Sequence, residues 1–437
     1  MERTRARTAW AAVLLVVLTG PALIWLVRSN PIGMWRQLSI VTGLLALSAL
    51  VCTACLPSRL RNLTRTFGIE NILGLHRQLG VLCAVLIALH LAAVVAANPT
   101  QVALLMFPTA PNRARAAVGA TLALAGLLTL ALQRRRLKIA YEVWRWLHLL
   151  LAISTLGLSA LHVLWLKHLV TDAVLGPVLT GLGLLMIAVL VARWLGRTMR
   201  TSEEFVVEQV RRENPTVATL VLSPRRRRGR GFVFSPGQFA WIRLQRSAVE
   251  EHPFTIASSA HDPEFAEFTI RGTGDFASSV RTLPEGSSVW VDGPYGSFTV
   301  DDVPAAGLVL IAAGVGITPM MSMLRTAADR GDLRPHRLVY VARDTTDLLF
   351  RDELLVLRSH LDLVVTEVLR RPSGDWTGHT GEIDVSLLST VLASLDSGDR
   401  HDYFLCGPPS MVDDTLGALQ AIGVPDDRIH TEQFDMA

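Results

Sequence analysis

The sequence predicts a multi-domain chain: a six-helix transmembrane bundle, then an antiparallel β-barrel, then an α/β domain on a parallel sheet. Three observations carry this. Six long apolar runs fill the first 200 residues. After Arg200 the texture changes to short β-like runs broken by Gly and Pro. From residue 306 strands and helices alternate around a Gly-x-Gly turn. The expected boundaries are 1–200, 201–303 and 304–437.

Of the 437 residues half are apolar, which excludes a disordered chain, a collagen and a small disulfide scaffold. The net charge of +4 hides an asymmetry. Residues 1–200 hold 20 Lys+Arg against four acids, a net of +16, and residues 201–437 hold 22 against 34, a net of −12. Two regions in different surroundings are implied. The basic excess lies beside apolar runs and not on a polar module, so nucleic acid is not an expected partner. Lys138 and Lys167 are the only lysines, a bias of composition and not of chemistry.

The six runs cover residues 9–27, 38–56, 76–97, 115–132, 144–166 and 174–192. A span needs roughly 20 apolar residues, so each is long enough to cross a bilayer. The first is too long, and too poorly followed by a cleavage site, to be a simple signal peptide. Arg3, Arg5, Arg7, Arg59, Arg61, Arg65, Arg77, Arg134, Arg135, Arg136, Lys138, Arg145, Arg193, Arg197 and Arg200 share one side. Arg28, Arg36, Arg113, Arg115 and Lys167 share the other. The positive-inside rule then puts the N-terminus and everything after residue 193 in the cytoplasm. Trp10, Trp144, Trp146 and Trp194 mark the inner boundary, and Trp25, Trp35 and Trp165 the outer one.

Four histidines interrupt these runs: His76 and His90 in the third, His148 and His162 in the fifth. Ionisable groups at membrane depth point to function. Each pair is 14 residues apart. That is about 40° short of four helical turns and a rise of roughly 21 Å, so both members share one face and most of the hydrocarbon depth separates them. Runs three and five point the same way. His76 and His148 therefore share an inner level, and His90 and His162 an outer one. Two imidazoles per level, twice, suit two six-coordinate haems better than four hydrogen-bonded core histidines. With both axial positions filled, an acceptor would be reduced at the haem edge. His168, about 200° round the helix from His148, is expected in an outer loop. Cys52 and Cys55 have the spacing of a redox or metal pair, but burial of free cysteines favours two small apolar side chains at a helix end. Cys83 also lies in an apolar run, so no disulfide framework is expected.

In the second half, Phe205–Val210, Thr216–Leu222, Phe239–Leu244, Phe268–Arg271 and Ser288–Val291 read as barrel strands. Arg225–Arg228 falls in a loop, solvated or in contact with anionic lipid. Gly307–Ala313 is an apolar strand leading into Gly314-Val-Gly316-Ile-Thr318-Pro319 and a helix over Met320–Arg330. Glycines at such a junction admit a pyrophosphate, and the helix N-terminus favours the anion. A strand over Arg337–Val341 ends near Arg343, where a cation can meet the 2′-phosphate of NADPH. A strand over Asp402–Leu405 runs into Cys406-Gly407-Pro408-Pro409.

Together these features resemble the ferric reductase/NADPH oxidase family, in which a six-helix, two-haem membrane domain is fused to a ferredoxin-reductase-like FAD/NADPH module. The resemblance covers nearly the whole chain. His252-Pro253-Phe254-Thr255 is similar to the flavin motif, implying that Phe254 packs on the isoalloxazine and Thr255 reaches its edge. Arg271-Gly-Thr-Gly274-Asp-Phe resembles the segment binding the FAD pyrophosphate. The family's following Thr is Ala277 here, which implies Ser278 or Ser279 instead. Asp292-Gly-Pro-Tyr-Gly296 resembles the closing turn of the flavin domain. Gly314, Gly316, Thr318 and Pro319 resemble the nucleotide-phosphate motif, Arg343 the NADPH-selecting residue, and Cys406, Gly407 and Pro408 the nicotinamide-side motif. Glu432-Gln-Phe434 resembles the terminal segment whose ring stacks on the flavin, although three residues follow it here.

The resemblance implies an NAD(P)H-dependent oxidoreductase of the cell membrane. Its cofactors are FAD, NADPH and two b-type haems, the latter on His76, His90, His148 and His162. Electrons pass from cytoplasmic NADPH to an extracytoplasmic acceptor, oxygen or ferric iron. Arg113 and Arg115 either attract an anionic acceptor or are ordinary loop residues. Two other classes are donation to an extracytoplasmic redox protein, which would need that partner for activity, and a non-enzymatic haem-binding protein, which the intact nucleotide motifs oppose. No calcium-loop motif occurs. Ser154 and Thr155, not an aromatic, lie midway between His148 and His162.

Overall fold

A computed structural model describes residues 2–28, 32–58, 63, 67–106, 109–137, 139, 141–199, 202–225, 231–246, 251–272, 274–301, 303–372, 374–393, 395 and 400–433. Arg59, Arg61, Arg65, Lys138, Arg200, Arg226, Arg227, Arg228 and Phe434 lie outside the described residues. So do the side chains of Arg3, Arg5, Arg7, Arg134, Arg135, Arg193, Trp194 and Arg197. The chain forms two compact units, residues 1–200 and 201–437.

The first unit holds α1 (Glu2–Arg28), α2 (Met34–Cys55), α3 (Ile69–Ala97), α4 (Asn112–Leu132), α5 (Tyr141–Trp165) and α6 (Leu175–Met199). Each contains a stretch long and apolar enough to cross a membrane. Side chains such as Leu15, Leu150, Ile153 and Leu184 stand exposed on their flanks, apolar surface that lipid would cover. The helix α3 starts seven residues before His76, earlier than the apolar run suggests, because Gly68 at φ 77° makes the entry turn. Asp172 caps the start of α6, accepting from the N–H of Val174 (3.0 Å) and Leu175 (2.8 Å). Those bonds hold its carboxyl below the usual range. His168 sits in a single helical turn, Lys167–Val170, exposed as expected of a loop residue.

The second unit opens with an antiparallel sheet: β1 (Glu203–Asn214), β2 (Val217–Pro224), β3 (Phe239–Arg243), β4 (His252–Thr255), β5 (Ala266–Arg271) and β6 (Ser288–Tyr295), in the order β4-β3-β6-β1-β2-β5. Alternate residues Phe205, Val207, Leu220 and Leu222 point into one core. The two ends of the sheet meet where Ala257 N–H donates to Glu267 O (2.7 Å). The motif at 252–255 is itself an edge strand, where Pro253 costs no ladder bond. The segment expected to be a turn, Asp292–Tyr295, continues β6, with Asp292 opposite Trp241 and Tyr295 opposite Phe239. Only Gly296, at φ 106°, turns away. A short helix, α7 (Asp275–Arg281), follows β5.

A parallel sheet follows: β7 (Gly307–Ala313), β8 (His336–Ala342), β9 (Leu363–Leu369), β10 (His379–Thr380), β11 (His401–Gly407) and β12 (Ile429–Gln433), in the order β10-β9-β8-β7-β11-β12. Between them run α8 (Ile317–Asp329), α9 (Arg351–Leu357), α10 (Val385–Leu392) and α11 (Pro409–Ala421). Leu308, Leu310 and Ala312 pack towards α8 and α9, and Val309 and Ile311 towards α10 and α11. Both faces are covered, which is why β7 reads as a continuous apolar run.

Arg325 on α8 ties barrel to sheet. Its Nη1 donates to Glu267 (2.9 Å) and to the Ala257 carbonyl (2.7 Å), and its Nη2 to Glu353 (2.7 Å). Burial opposes its charge, and the bonds to Glu353 and Glu267 outweigh that and raise its pKa. Removing it leaves two half-buried carboxylates without their shared cation. Glu267 keeps Arg211 at 3.3 Å, so Arg325→Ala is expected to destabilise this unit by about 1.5–3 kcal/mol. Faster hydrogen exchange over β5 and α8 in the full-length protein would show it, and unchanged exchange would contradict it.

Candidate functional site

In the membrane unit the four histidines form two pairs. The rings of His76 and His148 have centroids 6.3 Å apart. Two metal–nitrogen bonds of about 2 Å, with ring centres about 1.1 Å beyond each nitrogen, require about 6 Å. His90 and His162 lie 14 residues further along the same two helices, α3 and α5. Three of the four imidazoles are anchored through Nδ1–H on a helix carbonyl: His76 on Thr53 (2.9 Å), His90 on Ser39 (2.6 Å) and His162 on Arg113 (2.8 Å). That bond selects the tautomer whose Nε2 carries a lone pair, which is what metal ligation needs. His148 Nδ1 is buried without a hydrogen-bond partner, and its ring rests against Trp144, centroids 5.1 Å apart. The residues present therefore fit axial ligation of two haems. Among the described residues no group of three His, Cys, Asp or Glu gathers as a metal cluster. None of the four cysteines forms a disulfide, and Cys52, Cys83 and Cys406 are buried.

The carbonyl anchors were not legible in the sequence, since they depend on which helix faces which. Arg113, considered for its charge, contributes its backbone oxygen.

In the second unit, the carboxyl ends of β7, β8, β9 and β11 surround a cavity of about 640 Å³. The chain reverses its strand order between β7 and β11, and open α/β sheets bind ligands at that switch point. Gly314, at φ 56°, and Gly316 form the floor of the turn before α8. A Cβ on Gly316 would strike the Cys406 carbonyl, and one on Gly407 would meet Met411 and Ala313. Thr318 caps the turn by donating to Val315 O (3.0 Å), and Pro319 is buried in the first turn of α8. Cys406 is buried, and Gly407 and Pro408 line the cavity. Tyr340, whose pKa burial raises, donates towards Gly314 O (3.3 Å) and Asp347 O (3.2 Å) from below.

Arg271 and Arg343 line the same cavity, and Asp347 joins them: 2.8 Å to Arg271 and 3.3 Å to Arg343. Arg370 completes a third cationic wall. Asp347 and Arg370 escaped the sequence reading. The one available signal was the four-residue step from Arg343 to Asp347. A Cβ on Gly314 would sit 2.7 Å from the Arg271 guanidinium, so the segment resembling the flavin-pyrophosphate motif touches the nucleotide turn directly.

On the barrel, Phe254 stacks on Phe276 (5.6 Å, 19°), and His252 lies against Phe276 (4.1 Å). Thr255 Oγ1 is buried without a partner, an acceptor and donor in want of one. Gly274 precedes α7, and Ser278 and Ser279 lie on it, Ser278 accepting from Arg281 (3.0 Å). The orphan hydroxyl beside an aromatic platform fits a flavin ring.

Residues 42–159 match the family described as ferric reductase like transmembrane component. Residues 214–299 match an FAD-binding domain, and residues 310–416 an oxidoreductase NAD-binding domain. Together, in this order, the three matches give the chain a ferric reductase/NADPH oxidase-like architecture. His76, His90 and His148 fall inside the first match, and His162 lies three residues past it. The chain is 30% identical to ferredoxin–NADP reductase B of Sorangium cellulosum over 221 residues, 49% of this chain and 91% of that one. It is 32% identical to the reductase component of propane 2-monooxygenase of Mycolicibacterium goodii over 209 residues, 46% of this chain and 60% of that one. The chain spans about 60% of the length of that relative and 56% of its Rhodococcus jostii counterpart. The FAD/NAD-binding domain of a Vibrio cholerae nitric oxide dioxygenase aligns at TM-score 0.47 and 24% identity, over 54% of this chain and 99% of that one. The chain thus joins six membrane-length helices with a ferric-reductase-type match to FAD-binding and oxidoreductase NAD-binding domains.

Gly316→Ala is expected to weaken nucleotide binding by about tenfold or more, because overpacking against the Cys406 carbonyl costs about 1–3 kcal/mol. Titration with NADP+ reads this, and an unchanged affinity would show that the turn can move.

Proposed function

We propose that this chain carries electrons across the cell membrane, from cytoplasmic NADPH to oxygen or ferric iron outside. FAD and two b-type haems serve as its resident cofactors. One observation carries the reading: two levels of facing histidines, three of them anchored through Nδ1, in a chain whose second unit is an FAD/NAD module. His76 and His148 hold one haem, and His90 and His162 the other. When bound, the flavin supplies exchange between a hydride and single electrons, and the haems supply one-electron carriers at two depths.

The residues themselves do the following. The Gly314–Gly316 turn and the α8 N-terminus receive the dinucleotide phosphates. Arg343 meets the 2′-phosphate with Arg370 beside it, while Cys406, Gly407 and Pro408 border the nicotinamide. Phe254 and Thr255 orient the flavin ring, with His252 and Pro253 shaping that strand. Arg271, Gly274 and Ser278 or Ser279 hold its pyrophosphate. Phe434 is the proposed flavin-stacking ring. The excess of basic residues on one side of the membrane unit supports a cytoplasmic N-terminus. The units we assign are 1–200, 201–303 and 304–437.

Reduction of the purified protein by NADPH under anaerobic conditions should bleach ferric haem bands, and failure would sink the reading. Reoxidation by air with superoxide formed identifies oxygen as acceptor. Reoxidation by a ferric chelate alone identifies iron, and indifference to both points to a redox protein. His90→Ala should remove one of two haems and stop transmembrane flux. Arg343→Ala should lower the preference for NADPH over NADH about ten- to hundredfold, the worth of a lost charge-assisted hydrogen bond. An unaltered preference in steady-state kinetics would move that role elsewhere.

A further inference from the structure

The seam between α2 and α3 repeats every seven residues. At each rung an α3 side chain faces an α2 carbonyl: His90 on Ser39 (2.6 Å), Cys83 on Ala46 (3.5 Å) and His76 on Thr53 (2.9 Å). As one number rises by seven the other falls by seven, as antiparallel helices require.

A helix carbonyl ordinarily accepts the N–H four residues on. For Thr53 that residue is Pro57, which has no N–H, and the last helical bond is instead Leu56 N–H to Cys52 O. The Thr53 oxygen therefore meets His76 without a competing helical donor. For Ser39 the corresponding residue is Gly43. A Cβ there would lie 3.1 Å from His90 Nδ1 and 3.2 Å from Cε1, tight enough that the ring would have to give way, and the bare backbone removes that crowding. For Ala46 it is Leu50, with both its N–H and its side chain, and that rung carries the weak thiol contact alone. Within this ladder, the two rungs that end on histidine are the two whose fourth residue is Pro or Gly.

We propose that Pro57 and Gly43 are positioning residues for the haem ligands His76 and His90, one by freeing the Thr53 carbonyl and the other by clearing the approach to the Ser39 carbonyl. This rests on the haem reading above. A hydrogen bond from Nδ1–H raises the basicity of the ligating Nε2, favours ferric iron and lowers the reduction potential. In Pro57→Ala a new backbone N–H shares the Thr53 oxygen, the His76 bond weakens, and the potential of the haem on His76 rises. In Gly43→Ala the ring of His90 is pushed off Ser39, and the potential of the other haem rises.

The test is an optical redox titration, with low-temperature electron paramagnetic resonance, of full-length protein in detergent. Pro57→Ala should shift one of the two haem potentials upward, Gly43→Ala the other, and the double variant both. Cys83→Ala, which breaks the middle rung alone, should move neither. Loss of only one haem in Pro57→Ala, with the other spectrally intact, is the stronger form of the expected result. Full haem content with unmoved potentials would overturn the proposal, as would both single variants moving the same haem or Pro57→Ala losing both. A wild-type protein without low-spin bis-imidazole spectra would instead remove the haem assignment itself, so the two failures are distinguishable.

Discussion

The rest of the membrane unit depends on one constraint: a polar group surrounded by hydrocarbon must find its partner inside the protein. Six helices satisfy their own backbones, but an imidazole brings an N–H that no helix ladder accommodates. Three of the four histidines solve this by donating to the carbonyl of a neighbouring helix, at Thr53, Ser39 and Arg113. The same bond settles which nitrogen keeps a lone pair and which way it points. Satisfying the backbone-directed N–H and leaving a lone pair on Nε2 are thus one arrangement. His148 stands apart, with Trp144 against its ring in place of a carbonyl.

The reductase unit rests on a different balance, that of charge in a half-buried cavity. Glycines hold the turn at the switch point open, and cations gather around it. Asp347, itself almost fully buried, pairs with both Arg271 and Arg343, so it links a barrel strand to the end of β8. A second ionic cluster around Arg325 binds the barrel to α8 and α9. Polar contacts between layers of this kind set orientation, while the apolar cores on both faces of the parallel sheet supply most of the stability.

Much of the fold was legible from periodicity. Apolar runs of membrane length, an abrupt change of texture after residue 200 and a both-sides-buried strand at 307–313 each reflect a local physical demand. Where boundaries moved, a neighbour decided. The helix α3 begins before its apolar run because Gly68, at φ 77°, makes the entry turn there. The strand β6 runs through Asp292–Tyr295 because β3 lies alongside to pair with it. The segment at 252–255 is an edge strand, where the N–H that Pro253 lacks is not needed for the ladder.

The histidine spacing by itself determined that four imidazoles lie on shared faces at two depths, because helical geometry converts a count of 14 into a direction and a height. The Gly-x-Gly after an apolar strand likewise determined where the chain turns from β7 into α8. Which carbonyl each imidazole meets, and that Asp347 pairs with an arginine 76 residues before it as well as with Arg343, only the tertiary structure decided. These are contacts between segments distant in the chain. Their register depends on how side chains interlock across a seam, and no local pattern encodes that.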